Sequence, residues 1–200
     1  MPEALNLDPK STALILIDMI NAVAKGGNEP PYNVPPNRQA VIDNFVRLVG
    51  HCRQVGTPII YITTYRRADN SDAPKTTSDV GGGGGVPMLE GTPAVEVIDE
   101  LAPQDGDYIV VKPRFSAYYG TNMEGILNSL GTETILVGGI STQRSVEGTA
   151  RDAKNRDTQC VVVSDCCTAG EEDVHRMTID HVLPLLVRVR NTDEVIAALS

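Results

Sequence analysis

The chain has 200 residues, 41% of them hydrophobic and 22% charged, the composition of one globular domain large enough to bury a core without disulfide or metal staples. A net charge of −9 argues against binding to nucleic-acid phosphates, and no apolar run approaches the roughly 20 residues that cross a bilayer. The four cysteines, Cys52, Cys160, Cys166 and Cys167, match neither a zinc site nor a C-x-x-C pair. Residues 1–6 show no basic and apolar leader, so a cytoplasmic chain with reduced thiols is expected.

In chain order, 12–18 reads as a buried strand ending in Asp18. A helix follows over 36–56, where Val41, Ile42, Phe45, Leu48, Val49 and Cys52 recur at helical spacing and Gly56 stops it. Strands are predicted at 58–64, 108–112, 134–139, 159–164 and 185–189, with helices near 94–101, 120–130, 143–156, 172–183 and 192–199. Strands that are apolar almost throughout are buried on both faces, the mark of a parallel sheet covered by helices. The expectation is a doubly wound three-layer α/β/α fold, a six-stranded parallel sheet of order 3-2-1-4-5-6 with Rossmann-like topology, as one domain over 1–200. The polar segment 66–91, with five consecutive glycines at 81–85, breaks the rhythm and reads as a lid or surface loop.

Several chemistries are excluded by what the sequence lacks. It has no G-x-x-x-x-G-K-[ST] phosphate loop and no G-x-S-x-G elbow. The three histidines, His51, His175 and His181, have no metal-ligand spacing, and no Asp-His pair follows the first strand. Neither a metal nor a cofactor is expected. In doubly wound sheets, ligands sit beyond the carboxyl ends of the strands. There the sequence offers an acid (Asp18), an ammonium (Lys112) and, after the 134–139 strand, a run containing the hydroxyl of Ser145.

Three elements together carry a family likeness: the strand-ending Asp18, the block Lys112-x-Arg114-x-Ser116-Ala117-Tyr118-x-Gly120-Thr121, and the block Gly139-Ile140-Ser141-Thr142-x-x-Ser145-Val146-x-x-Thr149-Ala150-x-Asp152-Ala153. Over nearly its whole length the chain resembles the isochorismatase-like cysteine hydrolases, which act on nicotinamide, N-carbamoylsarcosine, ureidoacrylate, biuret and similar amides. The resemblance implies a catalytic triad of Asp18, Lys112 and the residue at 145. It also implies a cis peptide between Ile140 and Ser141, and backbone N–H donors at 141 and 145 for an oxyanion. Tyr118, Arg114, Arg66, Arg67 and Arg144 are candidate substrate-binding residues, the arginines as partners for a carboxylate or carbonyl.

The chain departs from this family at the nucleophile, where Ser145 replaces cysteine. A cysteine near a lysine and a helix start has a lowered pKa, so thiolate is available at neutral pH. A serine needs a strong base, usually histidine, and none of the three histidines lies at a motif-bearing strand end. The serine is read as an engineered Cys→Ser exchange that keeps the site's shape and loses most of its rate, or else as a natural variant. The expected activity is hydrolysis of a small amide, carbamoyl or ureide C–N bond. The alternatives are an isochorismatase-type vinyl-ether hydrolase, which needs no nucleophile, and a non-catalytic small-molecule binder. The expected partners are a small-molecule substrate and further copies of the chain, as a dimer or tetramer, with no nucleic acid and no membrane.

Overall fold

The computed structural model describes residues 4–26, 37–79 and 87–199. Six strands, β1 (Thr12–Ile17), β2 (Ile59–Thr63), β3 (Tyr108–Val111), β4 (Thr134–Ile140), β5 (Gln159–Thr168) and β6 (Arg188–Arg190), form one sheet of order β3-β2-β1-β4-β5-β6. Every pairing is parallel. All six residues of β1 are buried, as a central strand covered on both faces requires. Its side chains alternate between two cores. Leu14 and Leu16 pack with Phe45 and Leu48 of α1 (Arg38–Val55), while Ala13, Ile15 and Ile17 pack with Met123 and Leu127 of α2 (Met123–Ser129) and Ala150 of α3 (Glu147–Asn155). The doubly wound three-layer fold is therefore as expected from the sequence. Among the described residues no helix is long and apolar enough to cross a membrane.

The expected helix at 36–56 is α1, with residue 36 outside the described residues; all six apolar positions named for it are buried, and Gly56 caps it at φ 79. The expected helix at 143–156 begins as a π turn, Thr142–Val146, before α3. The one at 172–183 is α4 (Glu172–Met177) followed by a second π turn, Thr178–Val182. The last is α5 (Thr192–Ala198), begun by a capping box between Asn191 and Glu194.

Three readings need correction. The segment 94–101 is two separate 3-10 turns, Pro93–Val95 and Asp99–Leu101. Between them the chain is drawn straight by backbone bonds, Asn21 N–H to the Glu96 carbonyl (3.0 Å) and Ile98 N–H to the Met19 carbonyl (3.1 Å). β6 starts three residues later than expected, because Leu183–Leu185 form a 3-10 turn around Pro184 that leaves Leu185 82% exposed. β5 does not stop at Ser164. A register shift opposite Val137 and Gly139 lets it continue to Thr168, so Cys166 and Cys167 are strand residues. Of the expected lid at 66–91, residues 80–86 with the glycine run lie outside the described residues. Its two flanks meet, with the Arg66 N–H on the Met88 carbonyl and the Glu90 N–H on the Arg66 carbonyl, both at 2.8 Å.

Candidate active site

The sheet order reverses between β1 and β4, and the site lies beyond the carboxyl ends of these two strands, where ligands of doubly wound sheets bind. Asp18 follows β1 directly. Its N–H donates to the Ile62 carbonyl (2.8 Å), extending the ladder by one bond, and its backbone then turns left-handed at φ 54. This conformation costs a non-glycine residue roughly 1 kcal/mol or more, and aspartate tolerates it better than most. Lys112 follows β3. Its N–H donates to the Thr63 carbonyl (2.9 Å), and its own carbonyl accepts the Thr64 hydroxyl (3.0 Å). Two strand spacings, about 10 Å, separate the ends of β1 and β3, a gap that the long lysine side chain bridges across β2.

The three triad candidates meet in one buried cluster. Lys112 Nζ lies 2.7 Å from Asp18 Oδ2, and the Ser145 hydroxyl donates to the same oxygen at 3.2 Å. Asp18, Lys112 and Ser145 are all buried. Burial raises the Asp18 carboxyl above the ordinary carboxylate range, opposed by the Lys112 ammonium and by hydrogen bonds from Lys112 and Ser145. Asp18 Oδ1 is also buried and has no hydrogen-bond partner among the described residues.

Ser145 reaches Asp18 because of the turn that carries it. The peptide bond between Ile140 and Ser141 is cis. The Ser141 carbonyl then accepts N–H groups from Arg144 (3.2 Å), Ser145 (3.1 Å) and Val146 (3.3 Å), closing the π turn. Of the two expected oxyanion donors, the Ser145 N–H is thus already engaged within the turn. Gly139 makes the close approach of β4 to β1 possible: it has φ 141, and a Cβ there would stand 2.1 Å from the Ile17 carbonyl oxygen.

The proposed substrate contacts fare differently. Tyr118 does not face the cluster. Its ring lies beneath the Arg156 guanidinium, 4.6 Å from the centroid, and packs with the α2 and α3 core. Arg156 follows α3 and precedes β5, at the opposite, amino-terminal end of the strands. The Ala117 N–H, one residue before Tyr118, donates to the buried Thr149 hydroxyl (3.0 Å). Burial pushes the Tyr118 phenol up to about 12. The Arg66 guanidinium bonds Asn70 Oδ1 (3.0 Å), and that of Arg67 pairs with Asp69 (3.3 Å), so both serve their own loop. Arg144 is exposed on the π turn. Arg114 bonds the Pro113 carbonyl (2.6 Å) and helps line a cleft of about 470 Å³ between the 71–76 segment, Pro113 and Tyr119. Asp18, Lys112 and Ser145 do not line that cleft. Sequence reasoning missed one contact beside the site: Thr142 Oγ1 is 2.8 Å from His175 Nδ1. Among the described residues no cluster of three or more His, Cys, Asp or Glu side chains could hold a metal ion.

The stretch that holds this cluster and the whole sheet is also the stretch that known proteins share. The Isochorismatase domain family matches residues 12–194. The chain belongs to the isochorismatase family. Within it, the chain is 31% identical to the uncharacterized isochorismatase family protein YecD of Escherichia coli O157:H7, over 98% of this chain and 100% of that one. It is 29% identical to the ureidoacrylate amidohydrolase RutB of Methylobacterium radiotolerans, over 90% of this chain and 76% of that one. It superposes on the N-carbamoylsarcosine amidase of Thermoplasma acidophilum with a TM-score of 0.73 at 25% identity, over 92% and 97% of the two chains. Where the sequence resemblance implies a cysteine at position 145, this isochorismatase-family chain carries a serine.

Proposed function

We propose that this isochorismatase-family protein is an amidohydrolase that cleaves a C–N bond of a small amide, carbamoyl or ureide substrate. The observation that carries the reading is the convergence of Lys112 Nζ and Ser145 Oγ on one oxygen of Asp18. Two relatives that cleave such bonds by name, the ureidoacrylate amidohydrolase and the N-carbamoylsarcosine amidase, support it. Ionised Asp18 accepts the proton of the residue at 145, whose side chain attacks the carbonyl carbon. The C–N bond then breaks, and the amine departs with the proton that Asp18 held; a water that gives its proton to Asp18 next attacks the acyl carbon, the bond to residue 145 breaks, the acid leaves, and Asp18 returns the proton to the side chain at 145. Lys112 keeps Asp18 ionised against its burial. The Ser141 N–H serves as one oxyanion donor. The Ser145 N–H must leave the Ser141 carbonyl to join it, and such donors each contribute about 3 kcal/mol to the transition state.

A serine hydroxyl beside a buried carboxylate is a weak nucleophile, so the chain as it stands is the slow form of this chemistry. Ser145→Cys should raise ammonia release from a panel of small amides and ureides by about a hundredfold or more, since a thiol gives up its proton to a modest base. Equal rates for the two proteins would overturn the assignment. One observation favours a second reading, a vinyl-ether hydrolase: burial raises the Asp18 carboxyl, which suits it to donate a proton rather than accept one. Release of a carbonyl product from enol-ether substrates, with no gain on Ser145→Cys, would select that reading.

A further inference from the structure

The turn that bears Ser145 is held at its other end by a histidine from a distant part of the chain. Thr142 opens the turn and is fully buried, and its hydroxyl is 2.8 Å from Nδ1 of His175 on α4. The Ser141 carbonyl closes the same turn from inside. We propose that His175 is a positioning residue, which anchors the Ser145 turn through Thr142 and alters that anchor when its ring takes up a proton. The inference deepens the hydrolase reading, because the anchored turn presents Ser145 to Asp18.

The chemistry of the contact gives it a direction. A neutral imidazole with its hydrogen on Nε2 accepts the Thr142 O–H at Nδ1. Protonation places a hydrogen on Nδ1. Thr142 Oγ1 then accepts that hydrogen, and its own O–H is left without this partner at a site with no access to solvent. The charged groups around the ring are mixed in sign. Glu171, Glu172, Asp173 and Arg176 stand on its own helix and cap. The two turns packed against α4 add Arg144 from one side, and Asp180 and His181 from the other. Half-burial of the ring and Arg176 favour the neutral form, while Glu172 and Asp180 oppose them; burial prevails and holds His175 below its ordinary range. At neutral pH the bond therefore runs from Thr142 to His175, and in mild acid it runs the other way at the cost of one buried O–H.

The test needs no substrate. In the full chain carrying Ser145→Cys, iodoacetamide alkylation at position 145 is followed by mass spectrometry from pH 5 to pH 8. Cys52, Cys160, Cys166 and Cys167 are buried and serve as internal references. Relative to His175→Gln, the parent should show an added step of about fivefold across the histidine titration, the effect of one lost hydrogen bond. Thr142→Val should abolish that step, and Thr142→Ser should retain it. In the Ser145 chain, the NMR midpoint of the His175 ring should move on Thr142→Val, because the hydroxyl that bonds the ring in both protonation states is gone. Alkylation profiles that superimpose across the parent and Thr142→Val, or an unmoved midpoint, would overturn the proposal. If His175→Gln fails to fold, the near-isosteric Thr142 pair decides alone. Absence of ammonia release would count against the hydrolase reading and leave these two readouts standing.

Discussion

At the level of single residues, Asp18 carries opposing demands. As the base of an amidase it must be ionised, yet burial raises its carboxyl above the ordinary value near 3.8. The sign of the pH profile therefore separates the two chemistries. If Asp18 accepts a proton from the residue at 145, turnover rises with pH through a midpoint above the usual carboxylate range, and then levels. If Asp18 donates a proton to an enol ether, turnover falls through the same midpoint. Turnover of the active substrate from pH 4 to pH 8 decides it, and Asp18→Asn should lower the plateau by about a hundredfold or more in either case. Asp18, Lys112 and Ser145 were legible in the sequence because each follows an apolar strand at a place where the topology converges. Tyr118 was not, since a motif fixes the position of an aromatic ring along the chain but not the face it turns to. The Thr142–His175 contact joins residues 33 positions apart, beyond the reach of any local pattern.

At the level of elements, the sequence signals were strongest where burial is periodic and weakest where a segment pairs with something remote. The six apolar positions of α1 all reach the core. The turns at 93–101 fail as a helix because their backbone bonds go to residues 19–21, a competition that periodicity does not record. β5 runs past Ser164 through Asp165, a residue type common in turns. In the structure its carboxylate accepts both the N–H and the hydroxyl of Thr192 at 2.8 Å, tying β5 to the start of α5. Two glycines show how differently one residue type serves its element. Gly139→Ala places a Cβ 2.1 Å from the Ile17 carbonyl oxygen in a left-handed conformation, with backbone on both sides unable to yield. A loss of about 4 kcal/mol or more is expected, or failure to fold. Gly50 lies inside α1, with nothing within 4 Å of the place an added methyl group would take, so Gly50→Ala should stabilise by about 0.5–1 kcal/mol through helix propensity alone. Urea unfolding of both variants checks the contrast, and a benign Gly139→Ala would contradict the tight β1–β4 junction.

At the level of the whole molecule, a buried ion pair between the ends of β1 and β3 meets Ser145, which follows β4 in the other half of the sheet, and its effect on stability depends on pH in a defined direction. The Asp18 carboxyl titrates higher in the folded chain than in the unfolded one. The native state thus keeps this proton over a window where the unfolded chain has released it. That contribution is complete below the unfolded value and is lost as pH rises through the folded one. Removing either partner strands the other, at a typical cost of about 3–5 kcal/mol. The two survivors can escape differently. At pH 5, taking up a proton costs a carboxyl of ordinary pKa about 1.5 kcal/mol, whereas shedding one costs an amine about 7 kcal/mol. Lys112→Met should therefore cost only about 1–2 kcal/mol at pH 5, because Asp18 becomes a neutral acid, while Asp18→Asn costs about 3–5 kcal/mol. By pH 8 the order should reverse, since protonating an ordinary carboxyl then costs about 5.5 kcal/mol and neutralising the amine about 3 kcal/mol. Asp18→Asn with Lys112→Met leaves no charge in the cluster and should lie within about 1 kcal/mol of the parent or above it. Urea unfolding of the four proteins at pH 5 and pH 8 measures each difference. Equal losses for the two single variants at pH 5 would mean that the pair is hydrated rather than buried, and the assignment of Lys112 as the group that holds Asp18 ionised would fall with it.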